Sequence, residues 1–149
     1  MARIKIVTLI DAPLEACFDL SRDIDFHVKS MSETGERAIA GRTTGLIELD
    51  ESVTWEAKHL CLKRRFTSKI TKFDRPNYFR DEMTNGDFQS FVHDHRFQIV
   101  DGKTEMSDEI VLKSPFGVIG ELTDLFFMTK YMKDMLAIRA KAIKLEAES

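Results

Sequence analysis

Ile10-Asp11-Ala12-Pro13-Leu14-Glu15-Ala16-Cys17-Phe18 is the stretch where the hydrophobic period of this 149-residue chain changes from two to helical spacing. Upstream, Ala2, Ile4, Ile6, Thr8 and Ile10 share one face and Arg3 and Lys5 lie opposite, the alternation of a half-buried strand. Downstream, Leu14, Cys17 and Phe18 fall at three- and four-residue steps, which predicts a short amphipathic helix to about Leu20. Pro13 suits a first helical turn, and Asp11 is placed to accept its free N–H groups. A second short helix is expected over Ile24–Met31.

Beyond these helices the period returns to two. Leu46–Leu49, Val53–Leu60, Leu62–Phe73, Tyr78–Thr84, Phe88–Val100 and Lys103–Leu112 read as strands. Arg75-Pro76-Asn77, Asn85-Gly86-Asp87 and Asp101-Gly102 close the intervals between them, and connections this short mark antiparallel hairpins. Ser114-Pro115 then ends the strands and can start a helix, with Ser114 as cap. From Val118, Leu122, Leu125, Phe126, Met132, Met135, Leu136 and Ile143 recur at helical steps, predicting a long helix over about 118–146. The whole is an α+β plan: one strand, two short helices, a run of antiparallel strands, and a long C-terminal helix packed on a curved sheet.

This order resembles the helix-grip fold of the START and birch-pollen-allergen superfamily, the SRPBCC or polyketide cyclase/dehydrase-like proteins. The matching residues are the opening Ile10–Phe18, then Phe73-Asp74-Arg75-Pro76-Asn77-Tyr78-Phe79, and Tyr131-Met132 in the last helix. The likeness spans essentially the whole chain as a single domain. It implies a bent antiparallel sheet around the C-terminal helix with an apolar cavity between them. It does not choose a ligand, because fold does not fix function.

Composition excludes several classes. Charged residues make 32% against 43% hydrophobic, so neither a disordered nor a membrane chain fits. No run approaches the roughly 20 apolar residues of a membrane span. A net charge of −3 gives no general attraction for nucleic acid, and Lys63-Arg64-Arg65 reads as a solvated strand edge. Cys17 and Cys61 form no C-x-x-C, and buried free thiols are expected; with no signal-peptide core at the N-terminus, the expected setting is the cytoplasm. Gly117-Val118-Ile119-Gly120 lacks phosphate-loop spacing, and no serine sits in a nucleophile elbow. No cofactor is expected.

Strand parity selects the residues able to face the cavity. Trp55 and His59 share one face of their strand; Phe66 and Ser68 share another; Asp81 and Met83 lie with Phe79. Phe91-x-His93-x-His95-x-Phe97 presents two histidines between aromatic residues, and Met106 and Asp108 share the face of Ile110 and Leu112. The expected walls are Trp55, Phe66, Phe91, Phe97, Met106, Leu125, Phe126 and Met132. His59, His93, His95, Asp81 and Asp108 supply the polar groups. Four readings of that polar set stand side by side. It is a buried network in which Asp81 or Asp108 accepts from a histidine, a set of donors orienting a ligand's head, an acid–base pair, or a metal site. No third metal ligand is fixed by spacing, and no metal is expected. The function implied is binding of a small hydrophobic molecule (lipid, aromatic or polyketide-like). The alternative is a cyclase-, dehydratase- or hydrolase-like enzyme using a His/Asp pair in the same cavity.

Overall fold

The alternating N-terminal stretch forms strand β1 (Ala2–Ile10), whose Ala2, Ile4 and Ile10 are buried while Arg3 and Lys5 are exposed. The computed structural model describes residues 1–59, 62–114 and 127–149. After β1 come α1 (Leu14–Ser21), α2 (Ile24–Ser30) and a 3-10 turn at Ser32–Thr34. Six strands follow: β2 (Arg37–Gly41), β3 (Ser52–His59), β4 (Leu62–Asp74), β5 (Tyr78–Asn85), β6 (Ser90–Val100) and β7 (Lys103–Lys113). The last described element is the helix α3 (Thr129–Glu148).

The strands make one seven-stranded antiparallel sheet in the order β1-β7-β6-β5-β4-β3-β2. Consecutive strands from β2 to β7 are neighbours, with short connections setting the register from β4 to β7, while β1 joins the far edge beside β7. Register shifts interrupt the β4–β5 pairing at Thr67/Ser68 and at Ile70/Lys72, and the β2–β3 pairing at Ala38/Ala40. Such bulges bend a strand and increase its twist, which lets the sheet curve around the helices.

Helix α3 buries Leu136, Arg139, Ala140 and Ile143, an i, i+3, i+4, i+7 stripe. Ala140 and Ile143 join a core cluster built around Phe18 of α1, whose ring meets Phe73, Phe79 and Phe97 edge-on at 5.3 to 5.5 Å. Leu136 belongs to a second cluster with Ala2, Ile4, Phe91, Ile110 and Leu112. Edge-to-face rings favour this packing beyond the area they bury. The turn after β1 meets the end of α3, where the Asp11 amide donates to Glu148 Oε2 at 2.9 Å.

Three expectations are corrected. Leu46–Leu49 is not a strand: Leu46 makes only an isolated bridge to Asp23, and Ile47 plugs the core. Gly45 and Asp50 take positive φ angles of 75° and 66°, which turn the chain away from extension on either side. The strand in this region is β2, an edge strand whose exposed residues carry no alternation. Asp11 does not cap α1, because Pro13 occupies the cap position with extended dihedrals and no side chain bonds the helix start. Asp23 does cap α2, accepting from the Phe26 amide at 3.1 Å. The long helix runs to Glu148, two residues beyond the expected end, while its expected start, with Pro115, Val118 and Leu122, lies outside the described residues, as do Leu60 and Cys61.

Candidate functional site

Strands β5, β6 and β7 each carry an apolar–polar–apolar sequence on the inward face, and the polar steps fall at two successive inward positions. On β6 they are His93 and His95, between Phe91 and Phe97; on β7, Asp108 between Met106 and Ile110; on β5, Asp81 between Phe79 and Met83. Cross-strand register sets Asp81 opposite His93 and His95 opposite Asp108. The result is a polar belt between the two apolar clusters, both of which Ile6 and Phe66 touch.

Within the belt, His95 Nε2 donates to Asp81 Oδ2 at 2.6 Å, and His93 Nε2 donates to Asp108 Oδ1 at 2.9 Å. His95 Nδ1 lies 3.1 Å from Asp108 Oδ1, an ion-pair distance without the alignment of a hydrogen bond. The His95 ring is sandwiched, stacking on Phe79 at 4.0 Å and on His93 at 3.6 Å. From above, α3 adds Arg139, whose Nη2 donates to the Ser21 carbonyl of α1 and whose Nη1 is 3.9 Å from Asp108.

The neighbours fix the charges. Burial pushes the His93 pKa down, and the adjacent His95 pushes it the same way, against the pull of Asp108 and Asp81. For His95 burial also acts downward, but Asp108 and Asp81 together outweigh it and hold its pKa above the ordinary value. Burial raises both carboxyl groups, yet the histidines beside them win, keeping Asp81 and Asp108 below the usual carboxylate range. These directions favour a belt of two carboxylates, an imidazolium at His95, a neutral imidazole at His93 and the Arg139 guanidinium. Its formal charges cancel, as burial requires.

Above the belt, between sheet and α3, lies a cavity of about 420 Å³. Of the expected residues, Trp55, Phe66, Ser68, Asp81, Phe91, His93, His95 and Met132 line it together. Asp108 sits beneath the two histidines; Phe97 and Met106 are packed in the core under α1, where Ser21 Oγ reaches the Met106 sulfur at 3.5 Å; Met83 packs among the second apolar cluster. Leu125, Phe126 and the His59 side chain lie outside the described residues.

Several lining residues were not legible as site residues. Arg139 reads as a solvated helix charge until α3 is laid on the sheet. His27 and Glu36 form a second polar pair on the wall, with Nε2 donating to Oε1 at 2.6 Å and the His27 ring stacked on Trp55 at 4.2 Å. Tyr131 is close enough for Glu36 to add to the upward push that burial gives its pKa. The single signal for the pair was a histidine on the polar side of a short helix.

Among the described residues, Asp81, His93 and His95 are the group able to hold a metal ion, with ligand atoms within 4.8 Å of one another. The nitrogen of His95 that faces Asp81 carries the proton of the 2.6 Å bond, and the two rings lie face to face with planes 27° apart. Stacked rings direct their in-plane lone pairs side by side and not toward one point. The arrangement suits a hydrogen-bonded network better than an ion.

No protein-family model and no curated protein matches the chain. Solved structures do. Protein CV1439 from Chromobacterium violaceum superposes with a TM-score of 0.76 at 10% identity, covering 99% of this chain and 97% of its own. TTHA0849 from Thermus thermophilus gives 0.74 at 18%, covering 99% of both chains. Major latex-like protein 151 from Panax ginseng gives 0.71 at 13%, covering 99% of this chain and 98% of its own. At such identities the likeness is one of fold, and it matches the element order, the curved sheet and the terminal helix. The chain has a helix-grip fold, the architecture that the resemblance to the START and birch-pollen-allergen (SRPBCC) superfamily implied.

Proposed function

We propose that the protein binds a small, largely apolar molecule in the cavity between the sheet and α3, with the polar belt orienting the molecule's one polar group. The observation that carries this reading is the cavity's make-up. Its volume of about 420 Å³ is walled by Trp55, Phe66, Phe91 and Met132 and has charged and neutral hydrogen-bonding groups gathered on its floor. Small-molecule sites combine mostly apolar walls with a few well-placed polar groups in this way. The methionines at the start of α3 suit the role, since Met128, Met132 and Met135 all line the cavity and an unbranched thioether adapts to the shape beside it. No helix among the described residues is long and apolar enough to cross a membrane, and a reducing compartment agrees with the buried free thiol of Cys17.

Native mass spectrometry of the freshly purified chain tests the reading, with displacement of an environment-sensitive naphthalene probe as the second measurement. A co-purifying small molecule, or saturable displacement by apolar competitors, is the expected result. A chain that carries nothing and binds no apolar probe refutes it.

One observation favours an enzyme as the second reading: Asp108 backs His93 as a carboxylate backs a general base, and His93 lines the cavity. Turnover of a bound ligand that His93→Gln abolishes, while binding survives, would establish it.

A further inference from the structure

The belt presents an unequal set of hydrogen-bonding groups to the cavity. His93 Nε2 lies 2.9 Å from a carboxylate oxygen of Asp108, which only accepts, so the ring's hydrogen is on Nε2. A neutral imidazole has one N–H, which leaves Nδ1 as a bare acceptor. That atom sits 3.9 Å from Asp81 Oδ2. Asp81 is likewise an acceptor, and among the described residues its one close donor is His95. Two acceptors at this spacing make no bond with each other, but a single donor atom between them comes within about 2.8 Å of both.

We propose that the molecule held in this cavity carries a neutral hydrogen-bond donor, an amino group or a hydroxyl on an apolar frame, seated between His93 Nδ1 and the Asp81 carboxylate. The inference rests on the cavity-binding reading above. An amino group supplies a hydrogen to each acceptor, and a hydroxyl supplies one. The belt's charges already cancel, so a neutral head leaves no uncompensated charge under α3. A carboxylate head would meet Asp81 as a like charge. Arg139, the cation that faces the same floor, already donates to the Ser21 carbonyl and lies 3.9 Å from Asp108. An ether or hydrocarbon of the same shape would leave His93 Nδ1 and Asp81 desolvated without a donor. That asymmetry is what makes such sites selective.

The test uses the full chain and four probes of one frame: 1-aminonaphthalene, 1-naphthol, 1-methoxynaphthalene and 1-naphthoate, each titrated calorimetrically with and without a chelator. The amino and hydroxyl probes are expected to bind about tenfold or more tighter than the methoxy probe, with naphthoate weakest. His93→Phe, which keeps a ring against His95, should bring those ratios toward one. Should that variant fail to fold, Asp81→Asn serves instead. Its amide adds a donor and removes the charge, so naphthoate should gain on the amino probe.

Equal affinities on the unmodified chain, naphthoate binding tightest, ratios untouched by either variant, or a ranking that the chelator erases would each overturn the assignment. If none of the four binds, the cavity reading itself falls. If the methoxy probe binds and no discrimination is seen, the donor assignment alone falls.

Discussion

His93 and His95 stack ring on ring, centroids 3.6 Å apart, two residues apart on one strand, yet their surroundings drive their proton affinities in opposite directions. His95 lies between two carboxylates, Asp81 and Asp108; His93 has one close carboxylate and a charged ring beneath it. Two stacked imidazolium ions in a buried site would repel, so the pair favours a single positive charge. The level at which this occurs, between two apolar clusters and under a cavity, concentrates polar chemistry inside an otherwise apolar interior.

A pH profile of stability should therefore have two limbs around neutrality. His93 resists its proton in the fold, so as pH falls below its ordinary value of 6.5 the unfolded chain binds the extra proton and stability drops. His95 keeps its proton in the fold, so its contribution is complete below 6.5 and is lost as pH rises through its raised value. Thermal melts from about pH 5 to 9 should peak between the limbs. His93→Gln should flatten the acid limb and His95→Gln the alkaline one. Limbs unchanged in both variants would contradict the assignment.

Arg139→Met should lower stability by about 1–3 kcal/mol, because the buried Ser21 carbonyl loses its donor and Asp108 loses a neighbouring cation. Urea unfolding reads the change. Arg139→Lys should not restore it fully, since a single ammonium lacks the two-armed reach of the guanidinium. A loss near zero would mean that this contact is incidental to the docking of α3.

Met132→Trp should fill part of the cavity. Probe affinity is expected to fall while the melting temperature changes little, because the added ring enters open space. In a close-packed core the same change would overpack the site and cost about 1–3 kcal/mol. Unaltered probe binding in a folded variant would show that the cavity is not where probes go.

Phe18→Ala should be among the most damaging single changes, at about 3–5 kcal/mol, because it removes the ring that Phe73, Phe79 and Phe97 surround. Denaturant melts should show a lower midpoint at an unchanged slope. A small effect would mean that α1 is dispensable to the core.

Some of this was legible in the sequence alone, for a local reason. Side chains alternate along any strand, so once Phe91-x-His93-x-His95-x-Phe97 reads as a strand, both histidines share the face of the two phenylalanines. The same logic placed Asp81 with Phe79 and Asp108 with Met106. It failed at Leu46–Leu49, where alternation came from one buried residue, Ile47, in a loop bounded by positive-φ turns. It also missed β2, an edge strand in which Ala38 alone is half-buried, too little to produce a pattern.

The sequence by itself determined the order of elements, the inward face of each strand and the residue types available inside, because all three follow from spacing along the chain. Tertiary structure alone decided which of those residues meet. The unbroken β5–β6–β7 register brought Asp81, His93, His95 and Asp108 to adjacent positions, and α3 folded back over the sheet to add Arg139 from 31 residues beyond Asp108. It also sealed Phe97 and Met106 beneath α1 while leaving Trp55 and Phe91 on the cavity wall. Those outcomes depend on how layers stack and where one layer stops covering another, and such long-range contacts leave no period in the chain that makes them.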